Sequence, residues 1–126
     1  MYVSHILDYC EDDHEADIYV SDGVHFIKCY AYPINNVYIG EKVSTVFAYG
    51  CREIKKHDEL AFQIEKLPQY YAYSIIAQVC SQQNSIVHIG GLIMQLDLAI
   101  PPDINNGDFI SFSVLRLNVI FTNKEP

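Results

Sequence analysis

Hydrophobic and polar positions alternate over short stretches along most of the chain. A period of two residues is typical of half-buried strands, and the long 3.6-residue period of an amphipathic helix has little support here. β-branched and aromatic residues fill these stretches, and Gly, Pro, Asn and Asp separate them. The pattern predicts an all-β or mainly β domain with eight strands: Tyr2 to Cys10, Asp17 to Ser21, Val24 to Tyr32, Lys42 to Ile54, Tyr71 to Cys80, Ile86 to Ile89, Leu92 to Leu98 and Phe109 to Phe121.

Turn signals separate the predicted strands. Asp22-Gly23 and Gly90-Gly91 tolerate the positive φ that tight hairpins require, and Asn106-Gly107 opens the last strand for the same reason. Pro33 and Pro101-Pro102 are expected to end strands, because proline donates no hydrogen bond to a ladder.

Two parts of the chain have a similar order of predicted strands and turns when residues 4–54 are aligned with residues 73–121. Gly40-Glu41 matches Gly107-Asp108, and both pairs precede a long apolar stretch. Shared turn chemistry of two unrelated meanders is the alternative to a true repeat. Each part is too small to cover its own apolar face, and residues 55–70 link the two. We therefore expect a single domain over residues 1–126, a small barrel or partly open barrel built from two similar β-meander halves.

The overlay also assigns strand faces. It aligns one apolar face of the third strand with one face of the seventh and predicts that both point to the core: Val24, Phe26, Tyr30 and Tyr32 with Leu92, Met94, Leu98 and Ile100. Lys28 does not fit this assignment. In the last strand the apolar phase shifts after Val114, which indicates a β-bulge there. The predicted core contains Phe26, Val43, Leu96, Ile110 and Phe112.

The link between the halves has no single interpretation. Leu60, Ile64 and Leu67 have helical spacing and Asp58 is suited to cap a helix, whereas Phe62 and Ile64 equally suit a strand. We expect at most one short helix in this central linker.

The second half resembles small β-barrel domains of the OB-fold type, from Tyr73-Ser74-Ile75-Ile76-Ala77-Gln78-Val79 through Asp103-Ile104-Asn105-Asn106-Gly107-Asp108-Phe109-Ile110-Ser111-Phe112. In acidity and size the chain also resembles bacterial immunity proteins, which neutralise a cognate toxin. These resemblances imply a barrel and a binding role, and they assign no functional residue.

Composition limits the class of protein. The chain has 126 residues, half of them hydrophobic, which favours one folded domain over disorder. Its apolar runs are far shorter than a membrane span, and Met1 to His5 lacks the basic start of a secretory signal, so we expect a cytoplasmic location. Four cysteines lie about twenty residues or more apart, a spacing that predicts free thiols.

Acidic residues crowd the start of the chain. Seven of the sixteen acids precede Lys28, the first of eight basic residues, in a chain of net charge −8: Asp8, Glu11, Asp12, Asp13, Glu15, Asp17 and Asp22. Their spacing is not that of an EF-hand calcium loop. Two interpretations stay open, a solvated hairpin loop and a docking surface for a basic partner.

Catalytic and metal-binding patterns have little support. His5, His14 and His25 lack the short spacing of a metal site, so we expect no metal and no cofactor. A catalytic pair of nucleophile and base could form from Cys51 and His57, or from Cys80 and His88, if the fold brings the two residues together. Buried, unreactive thiols are the favoured alternative. No hydrolase, kinase or dinucleotide motif is present, which favours a protein that is not an enzyme.

Tyrosines supply the candidate anchors of a binding surface: Tyr30, Tyr32 and Tyr49. We expect a non-catalytic protein-binding module, an acidic immunity protein or inhibitor that docks a basic partner such as a toxin. The alternative is an OB-like binder of a small ligand or single-stranded nucleic acid through an aromatic face. Nucleic acid is the less expected ligand, because cations cluster only at Arg52, Lys55 and Lys56. A dimer through an exposed edge strand stays open.

Overall fold

A computed structural model describes residues 1–32 and 37–121. This part of the chain is all-β, as the alternating pattern predicts, and contains eleven strands: β1 (Tyr2–Cys10), β2 (Glu15–Ser21), β3 (Phe26–Ala31), β4 (Val46–Tyr49), β5 (Arg52–His57), β6 (Gln63–Lys66), β7 (Tyr73–Ser81), β8 (Ile86–Ile89), β9 (Leu92–Leu96), β10 (Phe109–Val114) and β11 (Arg116–Val119). Within the same residues there is no helix with the length and apolar character needed to cross a membrane. Pro33, expected to end the third strand, lies outside the described residues.

The strands form one curved sheet in the order β1-β2-β3-β11-β4-β9-β8-β7-β10-β5, with β6 paired to β7. The sheet is not closed, because β1 and β5 end the strand path at opposite sides. It nevertheless curls round its core. β3 and β7 are far apart in the strand order, yet the backbone N–H of Lys28 donates a hydrogen bond of 2.8 Å to the Tyr73 hydroxyl. The architecture is that of a partly open barrel.

Two meanders with the same pairing pattern build this sheet. β1-β2-β3 and β7-β8-β9 are each consecutive antiparallel strands. Each meander then pairs in parallel with a strand of the other half, β3 with β11 and β9 with β4. β4 and β11 meet antiparallel at the centre, with Ala48 opposite Leu117. Each half therefore completes the sheet of the other.

The glycine and acid that precede the later strands make equivalent hydrogen bonds in both halves. The Gly40 N–H donates to the Val3 carbonyl at 2.7 Å, and the Val3 N–H donates to the Glu41 carbonyl at 2.8 Å. The second half repeats both bonds at 2.8 Å, from Gly107 to Val79 and from Val79 to Asp108. These bonds attach the start of each later segment to the first strand of its own meander.

Both long predicted strands are divided in the structure. The stretch Lys42 to Ile54 breaks at Gly50 into β4 and β5, and Phe109 to Phe121 breaks at Leu115 into β10 and β11. The central link has strands where a short helix was an alternative, since β5 extends to His57 and β6 follows. At each break the chain changes partners, which a hydrophobic pattern alone does not reveal.

The core lies on the concave side of the sheet. Val43, Leu96, Ile110 and Phe112 are buried there, as predicted. The prediction for Phe26 is wrong, since it is 47% exposed. The whole face of β3 is reversed, with an inward set of Ile27, Cys29 and Ala31 and an outward set that includes Tyr30 and Tyr32.

A slip of one residue explains the reversed face. Ile27 pairs with Val20 as Met94 pairs with Val87, so Met94 corresponds to Ile27 rather than to Phe26. Side chains alternate along a strand, and a shift of one residue moves every side chain to the other face. Both faces of this strand carry apolar residues, and Lys28 is the one residue in its sequence that indicates which face is outward. Lys28, which did not fit the core, points outward. Leu98, which the overlay placed on the core face, is exposed, and so is Leu115 at the break between β10 and β11.

Candidate functional site

The turn between β1 and β2 displays three acids. Cys10 and Glu15 form the last pair of the hairpin, and residues 11–14 make the turn. The backbone of His14 has a φ of 55°, a left-handed conformation that reverses the chain. Glu11, Asp12 and Asp13, called the hairpin acids below, are exposed.

Cys10 is the neighbour of one hairpin acid. Its Sγ donates to Asp13 Oδ2 at 3.2 Å. A backbone hydrogen bond with Asp13 lowers the pKa of this thiol, but the side-chain bond to Asp13, burial and the charges of Asp13 and Asp12 together leave it raised. The thiol is therefore protonated at neutral pH.

Asp8, Glu15 and Asp17 lie on the outward side of the β1-β2-β3 meander, called the meander face below. Three cross-strand pairs of β1 and β2 have their side chains on this face: His5 with Tyr19, Asp8 with Asp17, and Cys10 with Glu15. The side chains of Ile6 and Ile18, which pair between the first two of these, point inward. Bulges near Ser4 and Leu7 keep this alternation in phase on β1. On β3, Lys28 lies beside Tyr19 and Tyr30 beside Asp17.

Asp17 holds the loop between β6 and β7 against the meander face. It is 8% exposed, and its carboxylate accepts hydrogen bonds from the Tyr70 hydroxyl at 2.8 Å and the Tyr71 hydroxyl at 2.6 Å. Burial, followed by the bond to Asp17, raises the pKa of Tyr71. Asp17 therefore has a structural role that its place in an acidic run did not indicate.

Glu15 is also bonded to a tyrosine. The Tyr30 hydroxyl donates to Glu15 Oε2 at 2.7 Å, and this bond, with some burial, raises the pKa of Tyr30 to about 12. The neutral phenol is the form that donates to a carboxylate, so the acid and the ring are held together at neutral pH.

A cleft of about 200 Å³ opens between the hairpin and the β6–β7 loop. We call it the acidic cleft, and its lining residues are Asp8, Cys10, Glu15, Ala16, Asp17, Tyr70 and Tyr71. Among residues 1–32 and 37–121, none of its three carboxylates lies within ion-pair distance of a cationic side chain. The cleft therefore holds three carboxylates that form no ion pair within the described part of the chain, beside two aromatic rings, one of which has the Lys28 ammonium on its face.

Asp22 is not part of this acidic surface. Its carboxylate accepts hydrogen bonds from the backbone N–H groups of Val24 and His25 in its own turn, and from that of Gly91 in the turn between β8 and β9. The His25 ring is 3.1 Å away. Burial opposes ionisation, but the hydrogen bonds from His25, Val24 and Gly91 outweigh it and lower the pKa of Asp22. Asp22 therefore joins the hairpin turn at Asp22-Gly23 to the hairpin turn at Gly90-Gly91.

The three predicted anchor tyrosines belong to one aromatic strip. Tyr30 and Tyr32 stack with ring centroids 6.3 Å apart. The Arg116 guanidinium lies 5.3 Å from the Tyr30 ring centre and 5.9 Å from that of Tyr49, so it bridges β3 and β4. Tyr32 and Tyr49 are exposed.

Lys28 lies against the β6–β7 loop. Its Nζ is 3.6 Å from the centre of the Tyr70 ring, which shows that this ring accepts an ammonium group.

A second concavity lies farther along the meander face. Three rings line a groove of about 350 Å³, here called the aromatic groove, and they belong to His5, Tyr19 and Phe26. His5 packs edge-on against Tyr19 at 5.9 Å and lies 6.1 Å from Phe26. The predicted core included Phe26, so the sequence pattern did not indicate this groove.

All four cysteines are free thiols, and His88 has local hydrogen-bond partners. Burial raises the pKa of Cys51 to about 12 and that of Cys29 still further. The ring of His88 contacts Gln78 Oε1 and the Gly90 carbonyl, each at 3.0 Å. Within the described residues, no three His, Cys, Asp or Glu side chains are grouped so as to hold a metal ion.

Comparison of the chain with protein-family models, with curated proteins and with solved structures gives no match. The resemblances to OB-fold domains and to immunity proteins therefore stay predictions.

Proposed function

We propose that this protein is a non-catalytic module that binds a basic protein partner through the meander face, as an immunity protein or another inhibitor of a toxin does. One observation carries the proposal. The exposed hairpin acids lie between Cys10 and Glu15, which both line the acidic cleft, and Glu15 bonds Tyr30, which stacks on Tyr32. Charge for steering and rings for anchoring thus occupy one surface.

The two parts of this surface act at different stages of binding. Exposed charges act over about 8 to 10 Å at physiological salt, so the hairpin acids raise the rate of encounter and orient a basic partner. Tyrosines supply rigid contact area with a polar tip, so Tyr30 and Tyr32 slow dissociation once the partner has docked. Inhibition then follows from steric occlusion of the partner's own working surface.

A pulldown tests this function. The protein is immobilised and exposed at low salt to a lysate of the organism that encodes it, beside the variant E11Q/D12N/D13N. We expect basic proteins to be retained by the parent and lost from the variant, and the retained protein to lose its activity when the parent is added. High salt should release it, because the attraction is electrostatic.

A matched control separates local charge from net charge. The variant D58N/E59Q/D103N removes the same number of negative charges at exposed positions outside the hairpin. It should retain the same basic proteins as the parent. Equal retention by all three proteins, or retention of neutral proteins alone, contradicts the proposal.

The aromatic strip supports a second candidate function. Stacked rings with a guanidinium beside them are typical of surfaces that bind a planar ligand such as a nucleobase. The net charge of −8 opposes phosphates, so an uncharged aromatic ligand fits better than an oligonucleotide. Fluorescence anisotropy with labelled oligothymidylate, and NMR titration with adenosine, test this function. Arg116→Gln should weaken such binding, because it removes the guanidinium beside the rings.

A further inference from the structure

We infer that the meander face reads a short extended segment of the partner, in which an apolar or aromatic residue and a Lys or Arg are separated by one residue. This inference rests on the proposed function and names the chemistry of the partner. The aromatic groove receives the apolar side chain, and the acidic cleft receives the cation.

The register of β2 sets the spacing of the two sites. Tyr19 lines the groove and Asp17 lines the cleft, and both project from the same face of β2, two residues apart. Two residues of a strand span about 7 Å. In an extended peptide, side chains two residues apart also point the same way at about this distance, so residues i and i+2 of the partner reach both sites together.

The groove suits an apolar group because its walls are rings. Phe26 is 47% exposed at one side of it, and Val24, in the adjoining turn, is 76% exposed. Its volume of about 350 Å³ is at the lower end of the range for sites that enclose small ligands, which fits one side chain better than a larger molecule.

The cleft suits a cation because its charge is not neutralised from within. Asp17 already accepts two tyrosine hydroxyls and Glu15 accepts one, so these carboxylates are held in place. Asp8 is exposed at the edge of the cleft. A partner Lys or Arg entering here meets fixed negative charge and forms ion pairs with it. The Lys28 ammonium already lies on the Tyr70 ring, so the attraction comes from the carboxylates rather than from the rings.

Peptide titration followed by NMR tests the inference. The labelled full chain is titrated with acetyl-Phe-Ser-Arg-amide and with the reversed acetyl-Arg-Ser-Phe-amide. We expect saturable shifts of backbone amides confined to β1, β2, β3 and the β6–β7 loop with at least one of the two. Acetyl-Phe-Ser-Glu-amide, with the charge reversed, should cause none, and acetyl-Ala-Ser-Arg-amide should bind about tenfold more weakly.

Protein variants with matched controls locate the two sites. Phe26→Ser should weaken binding of the peptide about tenfold, whereas Leu60→Ser, at a side chain that is 84% exposed, should not change it. Asp8→Asn should weaken binding several-fold and Asp58→Asn should not. The comparison among peptides needs no variant, so the test holds even if Phe26→Ser disturbs the fold.

Each outcome gives a decision. Scattered shifts, or equal shifts with the Arg and Glu peptides, overturn the inference. Concentration-dependent shifts of the same amides without peptide identify a second copy of this chain as the occupant and also overturn it. Failure of the peptides with salt-dependent capture of basic proteins intact overturns the inference alone. Peptide binding without such capture overturns the proposed function alone.

Discussion

Asp22 links two hairpin turns. Its carboxylate accepts a hydrogen bond from the Gly91 N–H, 69 positions farther along the chain. Its side chain is 8% exposed, and bonds from the backbone of both turns surround the carboxylate. Close packing accompanies these bonds, since a Cβ at Gly90 would lie 2.7 Å from Asp22 Oδ2. The stabilisation that Asp22 provides is therefore tied to its negative charge.

Asp22→Asn should lower the free energy of unfolding at neutral pH by about 1.5 to 3 kcal/mol, because bonds to a charged acceptor are replaced. The folded-state pKa is lowered, so the unfolded chain takes up the proton first as pH falls. The stabilisation is complete above an unfolded-state pKa of about 3.9 and is lost at lower pH. Urea unfolding from neutral to acidic pH should show the difference between parent and variant narrowing below about pH 4. A difference independent of pH contradicts this role.

Asp17 gives a second prediction at the residue scale. Asp17→Ala leaves the hydroxyls of Tyr70 and Tyr71 without their acceptor, so the free energy of unfolding should fall by about 2 kcal/mol. Asp17→Asn, which keeps one carbonyl oxygen, should cost less. Asp12→Ala, at an exposed neighbour in the same acidic run, should change stability by under about 0.5 kcal/mol. Equal effects at positions 17 and 12 in thermal and urea unfolding contradict the distinction.

At the scale of elements, Gly50 decides how β4 becomes β5. Its φ is +72°, and an added Cβ would lie 2.8 Å from side-chain atoms of Leu115. The Leu115 N–H donates to the Tyr49 carbonyl at 3.0 Å, and Asp97 accepts from the N–H groups of Gly50 and Cys51. The break in the first long strand is thus held against the break in the second.

Gly50→Ala should destabilise the fold by more than Gly40→Ala. Gly40 has a φ of +93° with no described atom within 4 Å of an added Cβ, so its substitution measures backbone strain alone, about 1 kcal/mol. The extra cost at Gly50 should fall when Leu115 is also replaced by Ala. Urea unfolding of the two single glycine variants, Leu115→Ala and the double variant measures this coupling. No coupling between positions 50 and 115 contradicts it.

The two strands that end the sheet carry features that oppose pairing with another molecule. β1 bears two bulges and is partly covered by residues 40–43, through bonds such as that from Val43 N–H to the Met1 carbonyl. β5 has a register shift and a positive φ at Glu53, and it presents Lys55 and Lys56. Bulges and lysines are the usual protection of edge strands. Dimerisation through an edge stays an untested prediction.

At the scale of the whole molecule, negative charge is concentrated at one end of the strand order. The acids crowd β1, β2 and their turn, whereas β5 at the other end carries both signs, with Glu53 among its cations and Lys56 Nζ 3.7 Å from Asp108 Oδ2. Such a distribution orients an approaching basic partner towards the meander face, because encounter depends on the field of the whole surface.

The variant E11Q/D12N/D13N should associate with the captured partner several-fold more slowly at low salt, with a nearly unchanged melting temperature. Exposed charges contribute little to folding but set encounter rates. D58N/E59Q/D103N should associate like the parent, and high salt should remove the difference. Stopped-flow measurement of the association rate at low and high salt tests this prediction. An association rate of the variant that equals that of the parent at low salt would mean that the hairpin acids do not steer the partner and form only a solvated turn. Glu15 is left intact, because it also holds Tyr30.

Local pattern alone determined the class of fold and much of its segmentation. The bounds of β1 and β8 match those predicted, and Asp22-Gly23 and Gly90-Gly91 are turns with the expected positive φ at Gly23 and Gly90. Alternation and turn chemistry depend on neighbours within a few residues, so a single sequence carries them in full.

Tertiary structure decided the rest, because it depends on partners far along the chain. The face of β3 is fixed by its register with β2, since apolar residues stand on both of its faces and only Lys28 marks the outward one. The acidic run divides into the exposed hairpin acids, Asp17 beneath tyrosines more than fifty residues away, and Asp22 on a distant turn. The sequence shows that a residue is acidic but not which hydrogen-bond donors surround its carboxylate. The donors that the fold brings to it determine whether the residue stabilises the structure or is available to a partner.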